Sequence, residues 1–166
     1  MWKTIEKICR FCLNVIWKHL LKKELSDDMF LAFMQFVKFG IVGVSNTAVG
    51  YLINIGTLFL LRPYELSWDY LVGNTVSFFL SVLWAFYWSN KYVFTVEKGE
   101  KRSIWKTLLK TYISYAFTGI VLNNILSAIW INGLGISKYI APLINLVISV
   151  PINFLLNKLW AYKTES

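Results

Sequence analysis

An all-α membrane protein with four transmembrane helices is what this sequence predicts, and three observations carry that reading. Hydrophobic residues make up 57% of the 166 positions and charged residues 16%, whereas soluble domains are roughly 45–50% apolar and about 25% charged. Mean hydropathy is +0.53. Four apolar runs, each long enough to cross a hydrocarbon core of about 30 Å, take up about half the chain. Lys and Arg gather in alternate segments between those runs. A soluble domain of this length leaves roughly a third of its surface exposed, and this chain has too little polar sequence to cover it. Two cysteines exclude a disulfide scaffold. The net charge of +8 is dispersed between apolar runs rather than gathered in one patch, so nucleic acid is not an expected partner and anionic membrane lipid is.

The first segment, residues 1–25, reads as an amphipathic helix and a domain of its own. Trp2, Ile5, Cys9, Cys12, Leu13, Ile16 and Leu20 share one face at 3.6 residues per turn, and Lys3, Lys7, Arg10, Asn14 and Lys18 the other. Charges throughout exclude a signal peptide. Two placements fit: in the interface at the cytoplasmic membrane surface, lysines toward lipid phosphates, or packed on the rest of the protein. Cys9 and Cys12 lie on the apolar stripe, and His19 is the lone histidine, so no metal or cofactor is expected. Ser26-Asp27-Asp28 supplies an N-cap and a negatively charged first turn, opening the domain of residues 26–166.

The spans are expected at about 39–61, 70–89, 111–131 and 139–156. The first, 23 residues, reaches about 34 Å. Arg62-Pro63 ends the first and Asn132-Gly133-Leu134-Gly135 the third, while Pro142 and Pro151 are expected to break the fourth. Outside the spans, the segment through Lys38 holds seven Lys and Arg, 90–110 six and the tail two, against Arg62 and Lys138 in the other two loops. The positive-inside rule then puts both termini and the middle loop in the cytoplasm. Trp68, Tyr70, Trp88, Tyr92, Trp105, Tyr139, Trp160 and Tyr162 lie near span ends, as interfacial anchors do.

The second half echoes the first. An offset of 68 aligns Tyr92-Val93-Phe94 with Trp160-Ala161-Tyr162 and Ser81 with Ser149, while Asn90-Lys91 and Asn157-Lys158 need 67. Both copies begin on the same side, which makes two parallel two-helix repeats about an axis along the membrane normal.

Phe39-Gly40-Ile41-Val42-Gly43-Val44-Ser45-Asn46-Thr47, preceded by Lys38, resembles the first-helix signature F-x-x-V-G-x-x-N-T of GtrA-like proteins. The endings of the second and fourth spans resemble that family's two N-[RK]-x-[aromatic]-x-F motifs. Tyr162 stands where Phe is usual, and Asn90-Lys91 sits one residue closer to its aromatic pair. The resemblance covers about residues 36–162 and leaves the N-terminal extension without a counterpart. It implies a place in bacterial cell-surface polysaccharide, lipopolysaccharide or teichoic acid glycosylation. The implied activity is not enzymatic: movement of a polyprenyl-phosphate-linked monosaccharide from the cytoplasmic to the outer leaflet.

The residues suit such a cargo. Lys38, Lys91, Lys110 and Lys158 fall one per helix at the cytoplasmic ends, candidates for gathering the lipid phosphate or simple snorkelling anchors. Within and beside the spans, Asn46, Asn54, Asn74, Asn90, Asn123, Asn145, Ser149, Asn153 and Asn157 are candidates for a polar path; Asn124 adds a further amide. Neutral amides bind hydroxyls and phosphate oxygens without the cost of an intramembrane charge, and they also tie helices together at about 0.6 kcal/mol per contact. Asn145, Ser149, Asn153 and Asn157 recur every four residues, as one stripe. Gly43, Thr47 and Gly50 form a small-residue seam, for oligomerisation or for packing within the chain. Four short helices enclose a sugar and a lipid tail poorly, so a homo-oligomer is expected. The alternatives are a small four-helix exporter of a drug or metabolite, or a non-transporting subunit that recruits a membrane glycosyltransferase. A proton-coupled exporter needs an embedded carboxylate, and all nine acids lie outside the expected spans.

Overall fold

The computed structural model describes residues 26–96 and 99–164, with Arg10 besides. The rest of the 1–25 amphipathic segment, with Cys9, Cys12 and His19, lies outside the described residues. Four helices are long and apolar enough to cross a membrane: α1 (Asp27–Tyr64), α2 (Asp69–Val93), α3 (Ile104–Gly133) and α4 (Ala141–Ala161). The chain divides into two compact units, Met1–Lys38 and Phe39–Ser166, with the boundary inside α1.

In the first unit, Ser26 caps α1: its Oγ accepts from the Met29 amide at 3.3 Å, and Asp27 and Asp28 occupy the positive end of the helix dipole. Arg10 pairs with Asp27 and lies 5.1 Å from the Phe30 ring centroid. The helix runs well past the expected apolar run on this side, because a cap and helix-forming residues, not hydrophobicity, decide where a helix starts.

In the second unit, α1 and α2 approach closely where α1 has glycine and α2 serine. A Cβ on Gly50 would stand 3.3 Å from that of Ser81, and Ser77 Oγ donates to the Gly50 carbonyl at 2.7 Å. Trp84 Nε1 donates to Ser45 Oγ at 3.1 Å, and Asn54 Nδ2 to Asn74 Oδ1 at 3.0 Å. Tyr112 joins α3 to α2, its hydroxyl donating to the Phe79 carbonyl at 2.6 Å. The buried face of α3 is a hydroxyl stripe of Thr107, Thr111, Ser114 and Thr118, each donating to the carbonyl four residues earlier at 2.8–2.9 Å. Small side chains with internally satisfied hydroxyls allow close helix approach in a membrane.

Ser103 caps α3, so the helix begins seven residues before the expected span at Thr111. It ends where Gly135 takes a φ of +67°, a conformation open to glycine at no steric cost. The fourth helix is not broken by its prolines, contrary to expectation. Pro142 sits in the first turn, where no amide partner is required, and α4 continues through Pro151 at the loss of one rung. Large apolar side chains such as Val44, Leu60, Val147 and Leu159 are exposed, as lipid-facing positions are.

α2 and α4 finish alike. Each closes with a wide turn in which an amide reaches five residues back: Phe94 to the Ser89 carbonyl and Tyr162 to the Asn157 carbonyl, both at 2.8 Å. The two turns, Ser89–Val93 and Asn157–Ala161, are offset by 68 residues. The partner of Asn157 is therefore Ser89, not Asn90, which is the reason the two Asn-Lys pairs fall out of step.

Candidate functional site

Among the described residues, three clefts between helices of the second unit have no charged residue in their lining. The largest, about 630 Å³, runs between α1, α3 and α4. Its polar lining is Asn46, Thr47, Tyr115, Thr118, Asn123, Ser149 and Asn153, and Gly40, Gly43 and Gly119 leave its walls bare. A second, of about 510 Å³, lies between α1 and α2 and includes Asn54 and Asn74; Asn46 and Thr47 belong to both. A third, of about 360 Å³, lies between α3 and α4 beside Asn123 and Asn145.

The asparagines divide by what their amides do. Asn145 is buried and tied between helices: it accepts from Trp130 Nε1 at 3.0 Å and donates to Ser127 Oγ at 2.8 Å and the Asn123 carbonyl at 3.2 Å. Asn157 is fully buried and donates back to Asn153. Asn54 and Asn74 hold each other. Asn46 and Asn123, in contrast, line the large cleft, and each keeps a buried side-chain oxygen with no partner; the oxygen of Asn157 also lacks one, but that residue lines none of the three clefts. The four-residue stripe on α4 faces inward, with Asn145, Ser149 and Asn157 buried, but each step of four advances 400°, a drift of about 40°, so its members meet different neighbours. Ser149 and Asn153 reach the cleft, Asn145 turns to α3, and Asn157 sinks into the helix ends.

The small-residue seam divides too. Gly50 packs on α2, while a Cβ on Gly43 would meet nothing within 4 Å. Thr47 donates to the Gly43 carbonyl at 3.1 Å, and Asn123 to the Gly119 carbonyl at 3.3 Å, so the cleft has matching Gly-to-polar steps on α1 and α3.

None of the candidate lysines lines the clefts. Lys91 Nζ stands 5.3–5.6 Å from the ring centroids of Tyr87, Trp88 and Tyr92. Lys110 donates to the Trp160 carbonyl at 3.3 Å and lies over its ring, and Lys158 lies over Phe154. Lys38 belongs to the first unit.

Arg102 is the functional-looking residue that charge counting missed. Its guanidinium donates to the Phe94 carbonyl at 2.8 Å, the Tyr162 carbonyl at 3.1 Å and Asn90 Oδ1, and lies 5.0 Å from the Tyr162 ring centroid. One side chain thus clamps both wide turns. Burial lowers its pKa, opposed by Tyr162 and Glu100. Burial also pushes the Tyr162 phenol up to about 12, against the pull of Thr111, Arg102 and Ser89. Phe39, which lines the large cleft, joins Phe94, Phe154 and Tyr162 in a buried aromatic cluster with centroids 4.4–6.0 Å apart. Among the described residues, no group of His, Cys, Asp and Glu could hold a metal ion.

Comparison with known proteins fits these observations. The cell wall teichoic acid glycosylation protein GtcA of Listeria innocua is 30% identical over 117 residues, 69% of this chain and 77% of its own length. GtcA of Listeria monocytogenes is 29% identical over the same shares. A dolichol-phosphate mannosyltransferase of Pyrococcus furiosus is 34% identical over 124 residues, 75% of this chain but 32% of that protein. No solved structure matches the chain. The model of the GtrA/DPMS transmembrane domain matches residues 38–162, a stretch that holds all three clefts and the clamp. This multi-pass membrane protein belongs to the GtrA/DPMS transmembrane-domain family.

Proposed function

We propose that the chain moves a polyprenyl-phosphate-linked monosaccharide across the bacterial cytoplasmic membrane for cell-surface polysaccharide or teichoic acid glycosylation. The observation that carries this reading is an uncharged, partly polar cleft between three membrane-spanning helices, in a relative of proteins named for teichoic acid glycosylation. The sugar passes through the cleft along Asn46, Asn123, Ser149 and Asn153 while the polyprenyl tail stays in lipid. Asn54 and Asn74 line a side branch; Asn90, Asn145 and Asn157 hold the helices that form the path. Lys91, Lys110 and Lys158 gather the phosphate at the cytoplasmic end. Their ring contacts, about 0.5–1 kcal/mol each when exposed, yield to charge-assisted bonds of about 1.5–3 kcal/mol.

The matching wide turns of α2 and α4 support two parallel repeats, and the alternation of Lys and Arg between the spans supports both termini cytoplasmic. The 1–25 segment lies on anionic lipid as an amphipathic domain ahead of the 26–166 transmembrane domain. Four helices enclose a sugar and a lipid tail poorly, which supports a homo-oligomer. A second reading has its own observation: this kind of domain forms part of a longer protein named a mannosyltransferase. That supports a non-transporting subunit that holds a glycosyltransferase at the membrane.

Liposomes containing a radiolabelled polyprenyl-phosphate hexose test the proposal. Periodate, which does not cross the bilayer, oxidises only the outer-leaflet pool in empty liposomes and should oxidise the whole pool when the protein is present. Oxidation equal to that in empty liposomes, with stimulation of a co-reconstituted glycosyltransferase, would favour the recruiting subunit.

A further inference from the structure

From Phe39 on, the helices group in two pairs, and what joins the pairs lies toward one end. We propose that α1–α2 and α3–α4 rock against each other as two rigid halves about the Arg102 clamp, parting the large cleft from the end remote from it. This goes beyond the translocation reading and does not depend on what the cleft takes.

Each pair is bonded along its length. α1 meets α2 at three levels: Ser45 with Trp84, Gly50 with Ser77 and Ser81, and Asn54 with Asn74. α3 meets α4 through Lys110 and the Trp160 carbonyl at one end, and through Asn145 with Ser127 and Trp130 at the other. Between the pairs the bonds are one-sided. Tyr112 meets Phe78 and Phe79 near the middle of α2. Among the described residues, every other hydrogen bond or ring contact between the pairs lies nearer the C-terminal ends of α2 and α4. These are the Arg102 clamp, the Tyr162 hydroxyl on the Phe86 carbonyl at 3.5 Å, and the aromatic cluster around Phe94. The chain divides in the same way. Loops 65–68 and 134–140 each close a pair, and the one segment that joins the pairs, 94–103, carries Phe94 and Arg102. Two halves tied at one end and apposed at the other are built to hinge.

The cleft walls favour parting. Asn46 on α1 and Asn123 on α3 line the cleft from opposite pairs, and each has a side-chain oxygen out of reach of solvent and without a partner. An acceptor buried without a donor is costly, and hydration relieves that cost once the walls separate. The walls also lack interlocking side chains: a Cβ at Gly40, Gly43 or Gly119 would meet nothing within 4 Å, whereas inside a pair one at Gly50 would stand 3.3 Å from that of Ser81.

Exposed positions take pairs of spin labels in Cys9→Ala/Cys12→Ala protein, diluted with unlabelled protein in nanodiscs. Electron–electron resonance should read two distances between labels at Tyr70 and Asn132, which lie on different pairs remote from the clamp. It should read one narrow distance within a pair, Leu60 to Tyr70, and one at the clamp end, Tyr92 to Leu159. Asn46→Leu and Asn123→Leu should each shift the far-end balance toward the shorter distance, about fivefold or more. Arg102→Gln should broaden the clamp-end distance and leave the Leu60–Tyr70 distance sharp, the sign of a folded variant. A single narrow far-end distance, equal breadth at both ends, or a balance unmoved by both leucine variants overturns the inference. The translocation reading fails separately, in the liposome assay.

Discussion

Removing the Arg102 guanidinium should loosen the C-terminal ends of α2 and α4 together, and the size of the effect follows from its contacts. Arg102→Gln deletes donors to Phe94, Tyr162 and Asn90 and the cation over the Tyr162 ring. Hydrogen bonds to charged groups are worth about 1.5–3 kcal/mol each. The guanidinium is half-buried, so water replaces part of what is lost. Three bonds at the low end, discounted by half, with a ring contact of about 0.5–1 kcal/mol, come to about 3 kcal/mol. Arg102→Lys keeps the charge but not the planar fork, and should recover about 1 kcal/mol. Equilibrium unfolding in mixed micelles measures both variants. In a double-mutant cycle, Arg102→Gln and Asn90→Leu should fall short of additivity by about 1 kcal/mol, because they remove the same bond. A loss below about 0.5 kcal/mol for Arg102→Gln, or strict additivity with Asn90→Leu, would refute the clamp.

Further outcomes follow from the same geometry. Neutralising Lys91, Lys110 or Lys158 to Gln should raise the dissociation constant for polyprenyl-phosphate hexose roughly 10- to 150-fold with oligomer size unchanged, read in nanodiscs; wild-type affinity in all three rules out the phosphate role. Single cysteines at Ser67 and Glu100 should label from opposite sides, Ser67 from outside; labelling of Glu100 from outside reverses the topology. The Tyr162 phenol, raised from 10 to about 12, adds stability that is complete below pH 10 and lost as pH climbs through 12. That corresponds to about 3 kcal/mol, so the alkaline fall in stability should be shallower in Tyr162→Phe; identical pH profiles would contradict it.

Hydropathy located all four helices because lipid selects for apolar side chains wherever the chain meets it, whatever the packing inside. It placed the ends less well. Ile104–Lys110 belongs to α3 by virtue of the Ser103 cap, yet carries Lys106 and Lys110 and so reads as loop in an apolarity count. The prolines of α4 read as breaks because a first-turn position and a tolerated lost rung look identical in sequence. Arg102 gave no local signal: two of its three acceptors are backbone carbonyls, eight and sixty residues away. The hydroxyl stripe of α3 was visible as spacing, Thr107, Thr111, Ser114 and Thr118 falling every three or four residues. Among the asparagines, residue type alone could not separate Asn145, bonded on three sides, from Asn123, with an oxygen left over.

That separation bears on how such a small protein would work. A charge in the middle of a span costs about 2.5–3.5 kcal/mol or more, and a charged site there would also hold an oppositely charged cargo too tightly to release it. Neutral amides and hydroxyls, with hydrogen bonds worth about 0.5–1.5 kcal/mol each, carry neither of those costs. The polar groups that stabilise the helices are already paired with one another, at Asn54 and Asn74, at Asn145 and at the Arg102 clamp. None of these paired groups lines the large cleft, and at its bare glycine walls no packed side chain fills the space.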